Sequence, residues 1–130
     1  MASGFPCTLE RFNRMTTTRL IEQELAAAEA AQRDSNDGKA RVCARRAVAL
    51  ATDAWLARLP RPQWRGDAMA HLRHIQQDES CPLPIRQAAE RLSTSVTRQH
   101  IAPFTTDPLA DARLIIAHLS STSENAAQEP

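Results

Sequence analysis

Two histidines, His71 and His74, lie three residues apart in the stretch DAMAHLRHIQ. On a helix this spacing brings two imidazoles to one metal ion, and further histidine, cysteine or carboxylate ligands complete such a site. Between its predicted cap at Asp67 and its predicted end near Asp78, this helix carries no cysteine or carboxylate. We therefore interpret both residues as ordinary exposed histidines, and we predict no metal and no cofactor.

A second pair that could carry out chemistry is Arg98 and His100, with Arg91 about two turns earlier. A histidine that moves a proton beside an arginine that holds a phosphate can act on a phosphodiester. The same residues at the end of a helix would instead meet its unpaired carbonyl groups. Both interpretations stay open for Arg91, Arg98 and His100.

Three arginines cluster in the stretch KARVCARRAVAL, at Arg41, Arg45 and Arg46. Arg41 and Arg45 are four residues apart, so on a helix they repel each other by a few tenths of a kcal/mol unless an anion lies between them. That anion could be a bound phosphate, or Glu22 or Glu29 of the preceding acidic segment. We favour the internal ion pairs and keep anion binding by the three arginines as the alternative.

The composition indicates an all-α protein. The chain has 130 residues, only three glycines and no tyrosine, and its abundant alanine, leucine, glutamate, glutamine and arginine favour helices. The net charge of +1 for the whole chain does not indicate a polyanionic partner. Three cysteines without paired spacing indicate reduced thiols. Without an apolar run of roughly 20 residues or a signal peptide, we expect a cytoplasmic protein and no membrane partner.

Five helices follow from the periodicity of apolar residues and from cap and proline signals. The predicted ranges are 18–35, 38–59, 68–78, 84–100 and 108–119. Short loops predict an antiparallel bundle of four to five helices, built on a long hairpin of helix 1 and helix 2. This domain spans residues 16–120, and we expect a flexible extension at 1–15 and a disordered tail at 121–130.

Helix 2 carries a second apolar stripe, formed by Val42, Ala49 and Leu56 and nearly opposite its main apolar side. A helix with two apolar sides needs neighbours on both. We therefore predict that this stripe is an interface, with a second copy of the chain or with another helix. Trp55 is predicted in the core, and Trp64 is predicted to pack over the end of the bundle.

The order of these elements resembles the HEPN superfamily of small prokaryotic helical bundles. The resemblance covers about 20–119 and is carried by NDGKARVCARRAVALATDAWL, GDAMAHLRHIQ and DPLADARLIIAHL. It implies a homodimer that works beside a nucleotidyltransferase-type protein partner. Many members of the family are metal-independent ribonucleases that carry an arginine followed, after four to six residues, by a histidine.

The chain departs from that catalytic pattern. One residue separates Arg98 from His100, and eight separate Arg91 from His100. Arg65 and His71 have the spacing, and they lie before and in the short helix 3. We therefore expect a non-catalytic HEPN-like protein that dimerises and binds a protein or nucleotide-bearing partner. The alternative is a toxin-type ribonuclease that acts on RNA through an arginine and histidine pair.

Overall fold

The computed structural model describes residues 4–61, 64–94 and 107–128, with side chains at 16–61, 64–94 and 107–121. It contains the α-helices α1 (Gly4–Arg33), α2 (Asp37–Arg58), α3 (Ala68–Gln77), α4 (Leu83–Ser93) and α5 (Pro108–Gln128). No residue in these ranges belongs to a strand. The prediction of an all-α bundle built on a long hairpin of two helices is confirmed.

Small side chains hold α1 and α2 together. Alanines on both helices are fully or almost fully buried, and their short side chains let the two backbones approach closely; they are Ala28, Ala31, Ala40, Ala44 and Ala47. Ser35 makes the turn in a left-handed conformation with φ 60°. Asn36 then caps α2, because its side chain accepts a hydrogen bond from the Lys39 backbone at 3.2 Å.

The main core lies between α2 and the other helices. Helix α2 contacts α1, α3, α4 and α5; α3 and α4 form a second hairpin, and α5 packs against α4 as well as against α2 and α1. The largest apolar side chains of this core are almost completely buried, and they are Val48, Leu72, Ile75, Leu92 and Ile115. The central position of α2 explains why most of its circumference is apolar.

Two helices begin at the predicted aspartate caps. The Asp67 side chain accepts a hydrogen bond from the Ala70 backbone at 3.0 Å at the start of α3. The Asp107 side chain accepts one from the Ala110 backbone at 3.1 Å at the start of α5. Each cap is worth about 1 kcal/mol. In α4, Pro84 lies in the first turn, where its missing N–H has no helical partner to lose.

Both outer helices are longer than their periodicity predicted. Helix α1 begins at Gly4 and continues through the threonine run, so the predicted start at residue 18 is wrong. Helix α5 continues to Gln128, past the predicted end at residue 119. Threonine and serine cost only a few tenths of a kcal/mol in a helix, and Pro6 stands in the first turn, where proline is tolerated.

Helix α4 is shorter than predicted. It ends at Ser93, and Thr94 has an extended backbone. The Thr94 hydroxyl donates to the Glu90 carbonyl at 2.7 Å, and the Ser93 hydroxyl donates to the same carbonyl at 3.0 Å. Such hydrogen bonds from side chains to the backbone offer the chain an alternative to continuing the helix.

Over the described ranges, none of the helices has both the length and the apolar character that crossing a bilayer requires.

Candidate functional site

A cluster of aromatic and charged side chains joins the end of α2 to α3. His71 is 1% exposed, and its Nε2 lies 2.7 Å from Asp53 Oδ1 of α2. The indole Nε1–H of Trp64 donates to His71 Nδ1 at 2.8 Å. The Trp64 ring stacks on His74 with centroids 4.7 Å apart, and it also contacts Trp55.

The predicted exposure is therefore wrong for His71, while His74 is exposed as predicted. His71 and Ile75 are four residues apart, so they share one side of α3 and both face the core. This spacing was the signal in the sequence that indicated a buried histidine. Trp64 packs over the end of the bundle, as predicted.

The hydrogen bonds of His71 fix its tautomer. Nδ1 accepts the Trp64 N–H, so the ring proton sits on Nε2 and is donated to the Asp53 carboxylate. Both ring nitrogens are therefore occupied, and a proton on Nδ1 would oppose the Trp64 N–H. Within the described residues no three histidine, cysteine or acidic side chains are grouped to hold a metal ion. The cluster fastens residues 64–67 across the helix ends.

A cavity of about 290 Å³ lies beside this cluster, and Asp53, Leu56, Trp64, Arg65 and His71 are among the residues that line it. Arg65 and His71, a pair whose spacing fits the catalytic pattern of the HEPN superfamily, thus line the same cavity. However, His71 cannot accept a proton at Nδ1 without losing the Trp64 hydrogen bond. The present geometry is that of a structural histidine.

Arg45 lies against the end of α4. Its Nε donates to the Leu92 carbonyl at 2.7 Å, and its Nη2 lies 3.5 Å from the Thr94 carbonyl. These are carbonyls that the helix end leaves unpaired, and they attract a positive charge. Burial and the neighbouring charge of Arg41 lower the pKa of the Arg45 guanidinium.

The Arg41 guanidinium has fewer hydrogen-bond partners than that of Arg45. Its Nε is buried and has no hydrogen-bond acceptor. Among the described residues, no carboxylate forms an ion pair with Arg41 or Arg45, and Glu29 instead lies 4.0 Å from Arg113 of α5. The internal ion pairs with Glu22 and Glu29 that the sequence favoured are therefore absent from the described part. Two neighbouring guanidiniums remain without an acidic partner.

Arg46 lies on a different side of α2. At about 100° per residue, it points well away from both Arg41 and Arg45, and its side chain is exposed. Burial and Glu24 raise the pKa of the nearby Cys43 thiol, while Arg46 and Lys39 act against that rise. Of the three predicted anion-binding arginines, the structure brings only Arg41 and Arg45 together.

Arg91, a candidate catalytic residue, forms a bidentate ion pair with Asp111. Its Nη2 lies 2.8 Å from Oδ1 and its Nε lies 3.3 Å from Oδ2, so the pair ties α4 to α5. The hydrogen bond to Asp111 raises the pKa of Arg91. Arg98 and His100, the other two candidates, lie outside the described residues.

The predicted stripe on α2 is divided between core and surface. Leu56 is 5% exposed and lies beside Trp64 and His71, so this chain covers it. Ala49 is half-buried, and Val42 is 43% exposed. The stripe is thus part of the core at one end and open at the other.

No protein-family model, curated protein or solved structure matches this chain. The resemblance to the HEPN superfamily stays a prediction from the order of the elements. Side-chain geometry on α2 is therefore the basis on which a function can be inferred.

Proposed function

We propose that this chain is a non-catalytic, HEPN-like helical-bundle protein that forms a homodimer and binds a protein or nucleotide-bearing partner. The observation that carries the binding proposal is the pair Arg41 and Arg45, two adjacent guanidiniums with no carboxylate partner in the described chain. A phosphate group would supply the missing negative charge and accept hydrogen bonds from both side chains.

Arg45 is already oriented for this role. Its hydrogen bonds to the Leu92 and Thr94 carbonyls fix one edge of the guanidinium. The remaining N–H groups, together with those of Arg41, are donors for an anion. An oriented side chain loses less conformational entropy on binding. Because the two guanidiniums lack an acidic partner in the described chain, the partner that fits this surface is a phosphate-bearing one, such as a nucleotide carried by a nucleotidyltransferase-type protein.

The environment that we propose is the cytoplasm of a prokaryote. The resemblance to the HEPN superfamily implies the prokaryotic source. Cys43 and Cys81 are free and buried thiols, which is consistent with a reducing compartment. The homodimer is supported by Val42, a large apolar side chain that remains exposed on the central helix.

Binding can be measured by calorimetric titration with a nucleoside monophosphate and with inorganic phosphate at low salt. We expect Arg41→Gln to weaken binding about tenfold, or by about 1.4 kcal/mol. Arg46→Gln is the matched control, because it removes an equal charge from another side of α2. Equal binding by Arg41→Gln and wild type, or no binding by wild type, would contradict the phosphate site.

The non-catalytic part of the proposal is tested with RNA in the presence of a metal chelator. We expect no cleavage by the wild-type protein. Metal-independent cleavage that disappears in His100→Ala would contradict the proposal and support the alternative, a toxin-type ribonuclease that uses an arginine and histidine pair.

A further inference from the structure

A second cavity, of about 180 Å³, lies where the ends of α2 and α3 meet the loop before α4 and the middle of α5. Its apolar lining comes from Trp55, Trp64, Ile75 and Leu119, and its polar lining includes Asp78 and His118. Trp64 also lines the other cavity. The residues that line the second cavity are separate from Arg41 and Arg45, so a ligand here is independent of the proposed phosphate site.

The carboxylate of Asp78 is held in place at this cavity. Its Oδ1 accepts hydrogen bonds from the Ser80 hydroxyl at 2.6 Å and from the Ser80 backbone at 3.0 Å, and Cys81 Sγ lies 3.7 Å from Oδ2. Burial raises the pKa of Asp78, but these hydrogen bonds and His118 outweigh burial, so the pKa lies below its usual value. Asp78 is therefore negatively charged at neutral pH.

Cys81 does not supply a nucleophile to the cavity. Burial and the adjacent Asp78 raise the pKa of the Cys81 thiol to about 11, so the sulfur stays protonated at neutral pH. A neutral thiol is a poor nucleophile. The cavity thus combines apolar and aromatic walls with a few polar groups, among them one fixed negative charge, which is the composition typical of a small-molecule binding site.

We propose that this cavity binds a small aromatic amine, whose ring lies against Trp55 and Trp64 and whose ammonium group pairs with the Asp78 carboxylate. Indole faces attract cations as well as apolar groups. The size is suitable, because a cavity of about 150 Å³ accepts benzene. A volume of 180 Å³ therefore accommodates one aromatic ring with a short side chain.

Tryptophan fluorescence provides a direct test. The chain contains two tryptophans, and both line this cavity. We would titrate the full-length protein with 2-phenylethylamine, 2-phenylethanol and 3-phenylpropionate at pH 8, where an ordinary histidine is neutral. We expect saturable binding of the amine at least tenfold tighter than binding of the alcohol or the acid. Equal binding of the three compounds, or no saturable change, would overturn the proposal.

Variants distinguish recognition of the ammonium charge from non-specific apolar binding. Asp78→Asn keeps the shape of the side chain and should remove the preference for the amine. Glu79→Gln is the matched control, because it removes an equal charge from the neighbouring residue, which is exposed and does not line the cavity, and it should retain that preference. If Asp78→Asn fails to fold by circular dichroism, Leu119→Phe reduces the cavity instead and should weaken amine binding at least tenfold. An undiminished preference in Asp78→Asn, or undiminished amine binding in Leu119→Phe, would refute the site.

Discussion

At the scale of single residues, the decisive group is His71. A histidine with one ring nitrogen on a carboxylate has the orientation of a general base, and its spacing from Arg65 fits a catalytic pattern. The other nitrogen, however, accepts the Trp64 N–H at 2.8 Å. The chemistry that a histidine can perform therefore depends on which group faces its second nitrogen, and here that group is an indole donor.

Because His71 has a structural role, we expect its replacement to lower stability more than replacement of His74. His71→Phe leaves the Trp64 N–H without its acceptor, so we expect the free energy of unfolding to fall by about 1–3 kcal/mol. His74→Phe is the matched control, because a phenyl ring can keep the stacking on Trp64; its effect should stay within about 0.5 kcal/mol. Urea denaturation followed by tryptophan fluorescence measures both. Equal stabilities of the two variants would contradict the role of His71.

At the scale of elements, the segment from Trp64 to Asp67 determines how α3 meets α2. Gly66 has a φ of 151°, which L-residues rarely adopt. A Cβ at this position would lie 2.5 Å from the Ala70 Cβ. This tight backbone brings Trp64 to His71 while Asp67 caps α3. Gly38, by contrast, lies inside the first turn of α2.

Replacement by alanine should change the free energy of unfolding in opposite directions at Gly66 and Gly38. Gly66→Ala should lower the free energy of unfolding by about 1–3 kcal/mol, because it adds backbone strain and a steric clash. Gly38→Ala should raise it by about 0.5 kcal/mol, since the added Cβ meets nothing within 4 Å and alanine restricts the unfolded chain. Thermal unfolding of both variants measures the contrast. A Gly66→Ala protein as stable as Gly38→Ala would show that the segment tolerates an ordinary residue.

At the scale of the whole molecule, α2 is both the centre of the core and part of the surface. The apolar stripe begins at the exposed Val42 and ends at Leu56, which Trp64 and His71 enclose. The stripe was predicted to be an interface with a second copy of the chain or with another helix. At Leu56, another part of this chain covers it. The exposed end remains the surface on which we propose dimerisation.

This division predicts separate effects on folding and assembly. Leu56→Asp should lower the free energy of unfolding by about 3 kcal/mol or more, because it removes buried apolar surface and buries a charge. Val42→Asp should change that energy by no more than about 0.5 kcal/mol but convert the proposed dimer into monomers. Urea denaturation and sedimentation velocity measure the two effects. A wild-type protein that sediments as a monomer at every concentration would contradict the dimer.

Local signals in the sequence were sufficient for much of this architecture. The helix type, the α1 and α2 hairpin and the caps at Asp67 and Asp107 depend on residues close together in the chain. The outer ends of α1 and α5 were missed because the prediction depended on apolar periodicity, and a helix can continue where its sequence has no apolar period. The burial of His71 was also indicated locally, by its spacing from Ile75.

The sequence by itself determined an all-α hairpin bundle with an uneven distribution of charge and a doubly apolar central helix. Only the tertiary structure decided the partners of its functional groups: the Leu92 carbonyl for Arg45, Asp111 for Arg91, and Trp64 with Asp53 for His71. Helical periodicity fixes which side of a helix a residue occupies. It does not fix which distant backbone or side chain meets that side, because that depends on how the helices pack.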